Sequence, residues 1–70
     1  MKKEFKVIAD LLPNNVRVLD VGCGDGSLMS HLINEKNIEA RGLELKKNNI
    51  QKCIYKGLSV IEGNAETELH

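Results

Sequence analysis

Val18-Leu19-Asp20-Val21-Gly22-Cys23-Gly24-Asp25-Gly26-Ser27 is the most informative stretch of the chain. A β-branched run reads as a buried strand over 16–22, and three glycines at alternate positions then break it. Helical spacing begins at once, with Leu28, Met29, Leu32 and Ile33 on one face of a helix over 27–36. Without a Cβ the backbone at such a turn bends sharply and lets a ligand approach its N–H groups. The following helix aims its free N–H groups and positive dipole end at the same place. The spacing is GxGxG. The position that a dinucleotide-binding turn gives to its third glycine is Ser27 here, which counts against a nicotinamide or flavin cofactor, although such a nucleotide binder remains an alternative.

Outward from this turn the pattern repeats. Upstream, Phe5, Ile8, Ala9 and Leu12 make one stripe of a helix over 2–12, ended by Pro13 and turned by Asn14 and Asn15. Downstream come a strand over 40–45, a helix over 47–56 and a strand over 59–64. That second helix is expected to place Ile50, Cys53 and Ile54 inward, with Asn48 or Asn49 as its cap and Gly57 in a left-handed terminal position. The last six residues are polar and expected to be loose. The order is helix, then β-α-β-α-β, which implies parallel strands with right-handed crossovers: an α/β, Rossmann-like half-fold. Glu44 stands near the end of the second strand, twenty residues after Gly24, where such folds place a carboxylate on ribose hydroxyls.

Composition narrows the function. Seventy residues make a single small domain, and its core must come from aliphatic side chains, since there is no Trp, one Tyr and one Phe. Ten basic residues balance ten acidic ones, so there is no general attraction to nucleic acid or to an anionic membrane; Lys46-Lys47 reads as a solvated face. No apolar run is long enough to span a bilayer. Cys23 and Cys53 have neither CxxC nor zinc spacing, and with no signal peptide they read as reduced thiols of a cytoplasmic protein. Cys23 is either a small packing residue or, beside a helix N-terminus, a reactive thiol; Cys53 reads as core. Asp25 suits the helix start, an acid/base pair with Glu66 being the other reading. His31 has no partner at metal-ligand spacing and reads as surface or partly packed, so no metal is expected.

Three strings in order, Val18-Leu19-Asp20-Val21-Gly22-Cys23-Gly24-Asp25-Gly26, Arg41-Gly42-Leu43-Glu44-Leu45 and Gly63-Asn64-Ala65-Glu66, resemble the motifs of class I S-adenosylmethionine (SAM)-dependent methyltransferases. Within that superfamily the likeness is to the methionine-biosynthesis MetW family, carried also by Lys56-Gly57-Leu58-Ser59-Val60-Ile61-Glu62. The resemblance implies the N-terminal half of a methyltransferase fold, a single partial SAM-binding domain over 1–70. Gly22, Cys23, Gly24 and Gly26 would form the turn around the methionine part of SAM, and Asp20 would help hold its amino group. Glu44 would accept from the ribose hydroxyls and Leu45 would pack on adenine. Asn64, where the family usually has aspartate, would present a neutral acceptor to the adenine amino group, and Ala65 its backbone N–H to the ring.

The segment that would face a methyl acceptor lies beyond these motifs, so the chain alone is expected to lack turnover. In the implied sheet the first strand becomes an exposed edge, which invites a second copy or another polypeptide. The family's association with homoserine O-acyltransferase makes a non-catalytic partner of that enzyme an alternative function. A nucleotide-binding fragment without activity is another.

Overall fold

The computed structural model of the chain describes residues 3–64 and 66. Its elements are α1 (Lys3–Asp10), β1 (Arg17–Val21), α2 (Ser27–Lys36), β2 (Glu39–Glu44), α3 (Lys47–Tyr55) and β3 (Ser59–Glu62). The strands form one parallel sheet in the order β1-β2-β3. Arg17 pairs with Glu39 and Val21 with Leu43 across β1 and β2; Arg41 pairs with Ser59 and Leu43 with Ile61 across β2 and β3.

Two left-handed asparagines and one glycine set where the elements stop. Asn37 closes α2 at φ 51° and Asn15 precedes β1 at φ 63°. Asparagine tolerates this region better than most residues. The pair is tied together: Asn37 Nδ2 donates to Asn15 Oδ1 at 2.6 Å, and the Asn15 N–H to the Lys36 carbonyl at 3.1 Å. Gly57, at φ 77°, ends α3 in a Schellman arrangement. Its N–H bonds the Ile54 carbonyl, and the Leu58 N–H bonds that of Cys53 at 2.9 Å.

The core lies between the sheet and α2 and α3. Met29, Leu32, Ile38 and Cys53 are fully buried, with Ala9, Cys23 and Ala40 beside them and Val18, Leu58 and Val60 packed against the cluster. Pleating puts Val18, Ala40 and Val60 on this helix-facing side. The alternate residues point to the other side, where Leu19, Val21 and Ile61 are each about half exposed. Thus β1 is an edge, as expected, and one whole sheet face is also left without a helix among the described residues. The first helix does not relieve this, because α1 packs against α2.

Several sequence expectations are corrected here. The first helix stops at Asp10, not Leu12. The next turn is tighter, with Leu11 bonded to Ile8 and Leu12 to Ala9, as helix ends often are. Leu12 still reaches the core, while Ile8 stays exposed. The cap of α3 is Lys46, with no side-chain bond of its own, not Asn48 or Asn49. Asn49 is engaged elsewhere, as described below. Ile54 is 62% exposed because Leu58, folded back by the Gly57 turn, fills the place beside Cys53. Ile33 likewise lies at the exposed margin of α2.

Candidate functional site

The carboxyl ends of all three strands open on one cleft. It holds about 290 Å³ and is lined by Val21, Gly22, Leu43, Glu44, Leu45, Lys46, Gly63 and Asn64. Its floor is made where β1 gives way to the glycine turn. The Gly22 N–H donates to the Leu43 carbonyl at 2.7 Å, so the turn leaves the sheet still hydrogen-bonded to β2. Gly24 has φ 60°, and a Cβ placed there would meet nothing within 4 Å; glycine is required by the backbone conformation rather than by crowding.

Glu44 organises the site. It is 7% exposed, and both carboxylate oxygens are occupied. Oε1 accepts from the Gly24 N–H at 2.9 Å; Oε2 accepts from the Lys46 N–H at 3.0 Å and from Asn49 Nδ2 at 3.3 Å. The Lys46 N–H first, then that of Gly24, holds the carboxyl below the usual range for glutamate. Asp20 is the opposite case. It follows Val18 on the helix-facing side, and burial pushes its carboxyl above the usual aspartate value.

The two carboxylates therefore act on stability with opposite signs. Glu44 has a lowered folded pKa, so its contribution is present above its unfolded value of 4.5 and is lost as pH falls through the folded one. Asp20 has a raised folded pKa, so any advantage it gives is present below 3.8 and is lost as pH rises through the folded value. Thermal melts should therefore show Asp20→Asn more stable than the parent chain at neutral pH. Glu44→Gln should be less stable there and lose less of its stability between neutral pH and pH 4. The reverse order at neutral pH would contradict this assignment.

The remaining anticipated residues fall as follows. Gly22, Glu44, Leu45 and Asn64 line the cleft together, whereas Asp20 and Gly24 are outside its lining, Gly24 being tied to it by the bond from its N–H to Glu44. Leu45 lies just past β2 with its side chain 60% exposed. Asn64 Oδ1 accepts from the Glu66 N–H at 2.8 Å. Gly26 caps α2 behind the turn. Cys23 is buried beneath it, facing Cys53. Ala65 lies outside the described residues. Asp25 serves the helix start, accepting from the Ser27 N–H at 3.0 Å and the Ser27 hydroxyl at 2.7 Å. His31 stacks at a tilt on Phe5, and no group of three or more metal-ligating side chains occurs among the described residues.

Two contributors were not anticipated. Asn49 braces Glu44 from the first turn of α3. Lys56, at the far end of the same helix, clamps the turn, its Nζ donating to the Asp25 carbonyl at 2.9 Å and the Ser27 hydroxyl at 3.4 Å. The Lys56 contacts, about thirty residues apart in sequence, exist only once α3 lies across the sheet, whereas Asn49 is only five residues from Glu44 and its cap-like chemistry hid this second use.

Comparison with known proteins agrees with this architecture. The family described as "Methionine biosynthesis protein MetW" matches residues 2–70. A Caenorhabditis elegans protein, "Probable tRNA (uracil-O(2)-)-methyltransferase", is 36% identical over 56 residues, which is 80% of this chain and 10% of that protein. The crystal structure of a TehB-like SAM-dependent methyltransferase from Corynebacterium glutamicum superposes with a TM-score of 0.80 at 21% identity, over 93% of this chain and 36% of that one. A SAM-dependent methyltransferase from Geobacter sulfurreducens, in complex with S-adenosyl-L-homocysteine, gives 0.66 at 19% identity, over 93% and 30%. The chain thus spans about a tenth of the curated relative and about a third of these two structures. It has the Rossmann-like fold of class I methyltransferases. No helix among the described residues is long and apolar enough to cross a membrane.

Proposed function

Because the chain belongs to the methionine biosynthesis protein MetW family, we propose that it is the SAM-binding front portion of a small SAM-dependent methyltransferase, with a role in methionine biosynthesis. The observation that carries this reading is the Glu44 carboxylate, which lines the cleft at the end of β2 and is bonded to the N–H of Gly24 in the glycine turn. This puts an anionic acceptor and a glycine turn within one ligand's reach. The cleft, at about 290 Å³, falls just below the about 300–1,000 Å³ usual for small-ligand sites.

SAM, when bound, supplies a methyl group activated by its sulfonium. The chain's own residues hold it. Gly22, Gly24 and Gly26 surround its methionine part, Asp20 receives the amino group, and Glu44 accepts from the ribose hydroxyls. Leu45 offers an apolar surface to adenine, and Asn64 and Ala65 supply an acceptor and a backbone donor to its edge. Raised by burial, the Asp20 carboxyl gains most from a cationic partner, which fits an ammonium beside it. Every role assigned here is toward SAM, so binding is the activity these residues account for.

A second reading has its own support. The uncovered sheet face and the β1 edge suit a protein that works against another chain, such as homoserine O-acyltransferase or a second copy. Co-purification with the acyltransferase, with and without SAM, tests it.

The SAM reading is tested by ¹⁵N correlation spectra recorded with SAM, with S-adenosylhomocysteine and with NAD. The amide signals of Gly22, Gly24, Gly26 and Glu44 should move with the first two and stay still with NAD. Dispersed spectra in which SAM moves nothing, or in which NAD displaces it, would overturn the proposal.

A further inference from the structure

Cys23 and Cys53 are thirty residues apart, yet their sulfurs lie 3.9 Å from each other in the core. Neither is in a disulfide. Both thiols are directed at one backbone oxygen: the Gly24 carbonyl receives Cys53 Sγ at 3.4 Å and Cys23 Sγ at 3.8 Å. The space they occupy is kept open by two glycines. A Cβ at Gly42 would strike Cys23 Sγ, and one at Gly26 would come within 3.0 Å of Cys53 Sγ. We propose that Cys23 and Cys53 form a reversible disulfide under peroxide, a redox modification that pins the glycine turn to α3 and weakens its hold on a ligand.

The geometry favours this pairing over other oxidation products. A disulfide needs sulfurs about 2.05 Å apart, so the two must close by less than 2 Å from their present contact. Cys23 is slightly exposed at 8%, whereas Cys53 is 0% exposed, so Cys23 meets the oxidant first. Its thiolate attacks one peroxide oxygen. The O–O bond breaks, hydroxide leaves as water, and Cys23 becomes a sulfenic acid. Cys53 sulfur then attacks the Cys23 sulfur. The S–O bond breaks, the S–S bond forms, the thiol proton is released and a second water departs. One peroxide is reduced to two waters, and each thiol gives up one hydrogen atom. Burial and the neighbouring Cys53 push the Cys23 thiol up to about 12, so the first step draws on a small thiolate fraction and is slower than at a surface cysteine.

The consequence for the turn follows from what is lost. Cys53 no longer donates to the Gly24 carbonyl, and Cys23 is drawn toward α3. The adjacent Gly22 is thereby moved from its place at the cleft, and Gly24 from its bond to Glu44. This last effect rests on the reading that the turn holds SAM.

The test uses the whole chain. After hydrogen peroxide treatment the protein is denatured, alkylated and weighed, and SAM affinity is measured by calorimetry in parallel. The expected product is monomeric, lighter by two hydrogen atoms, closed to alkylation at both cysteines and restored by dithiothreitol. Its SAM affinity should be about tenfold weaker, the worth of about one hydrogen bond. Alkylation at both cysteines, a sulfinic acid at Cys23 or a cross-linked dimer would overturn the proposal. So would a disulfide that left both the Gly24 amide signal and SAM affinity unchanged. If the reduced chain fails to bind SAM, the functional reading falls, while the mass and the Gly24 signal still judge the disulfide. Cys53→Ala should abolish the peroxide effect, and the parent-chain mass stands on its own if that variant does not fold.

Discussion

Gly26→Ala is expected to unfold the chain at room temperature. The residue sits at φ 83°, where a non-glycine side chain costs about 1–2 kcal/mol. The added Cβ would also strike the Leu58 side chain and crowd Cys53 Sγ at 3.0 Å. Overpacking of this kind costs about 1–3 kcal/mol. Because its N–H is held by the Cys53 carbonyl, Leu58 can give way only by turning the end of its side chain, which disturbs its packing against the core. A core of this size rarely supplies more than about 3–5 kcal/mol, so the two costs together consume most or all of the stability. Far-UV circular dichroism during urea titration would show it. A variant whose midpoint stays at that of the parent chain would contradict the assignment of Gly26 as the packing hinge of the turn.

Glu44→Ala should weaken SAM binding by about a hundredfold or more. Once Asn49 gives up its 3.3 Å bond, about two of the carboxylate's acceptor sites are open to ribose hydroxyls; each charged hydrogen bond is worth about 1.5–3 kcal/mol, and about 2.8 kcal/mol is a hundredfold in affinity. The same change also strips acceptors from the Gly24 and Lys46 N–H groups, so lower stability is expected as well. Glu44→Gln separates the two effects, since its amide oxygen keeps one acceptor at the same place while the charge is lost. Its affinity should fall about tenfold while the chain stays folded. Calorimetric titration of both variants with S-adenosylhomocysteine checks this; unchanged affinity in the folded Glu44→Gln protein would remove Glu44 from the ligand site.

The fold was legible where a local signal determines it. α2 runs over 27–36 as the helical spacing predicts, because a left-handed residue stands at each end, Gly26 before and Asn37 after. The parallel order followed from alternation alone. What could not be read depends on layers meeting. The cap of α3 was misassigned because Asn49 has the chemistry of a cap but is drawn to Glu44, an acceptor on the preceding strand. Ile54 carries the right spacing for the core, yet Leu58 arrives first by way of Gly57. The motifs name Gly22, Glu44, Leu45 and Asn64 of the cleft's lining but neither its other walls nor its bracing. Lys56 and Cys53 reach the turn only through the crossover that carries α3 over the sheet. The proximity of the two cysteines was hidden for the same reason.

The strand order bears on how the chain folds. β2 is the one described strand with a partner on each side, and β1 and β3 share no ladder. Neither outer strand has a template until β2 is in place, and each must then close a loop of about a helix and two turns to reach it. The folding nucleus is therefore expected to centre on β2 with α2, the helix that packs most on it, since α3 lies mainly against β3. Substitutions at Ala40 or Leu43 should slow refolding in stopped-flow measurements, whereas those at Val18 or Val60, on strands expected to dock later, should act mainly by hastening unfolding.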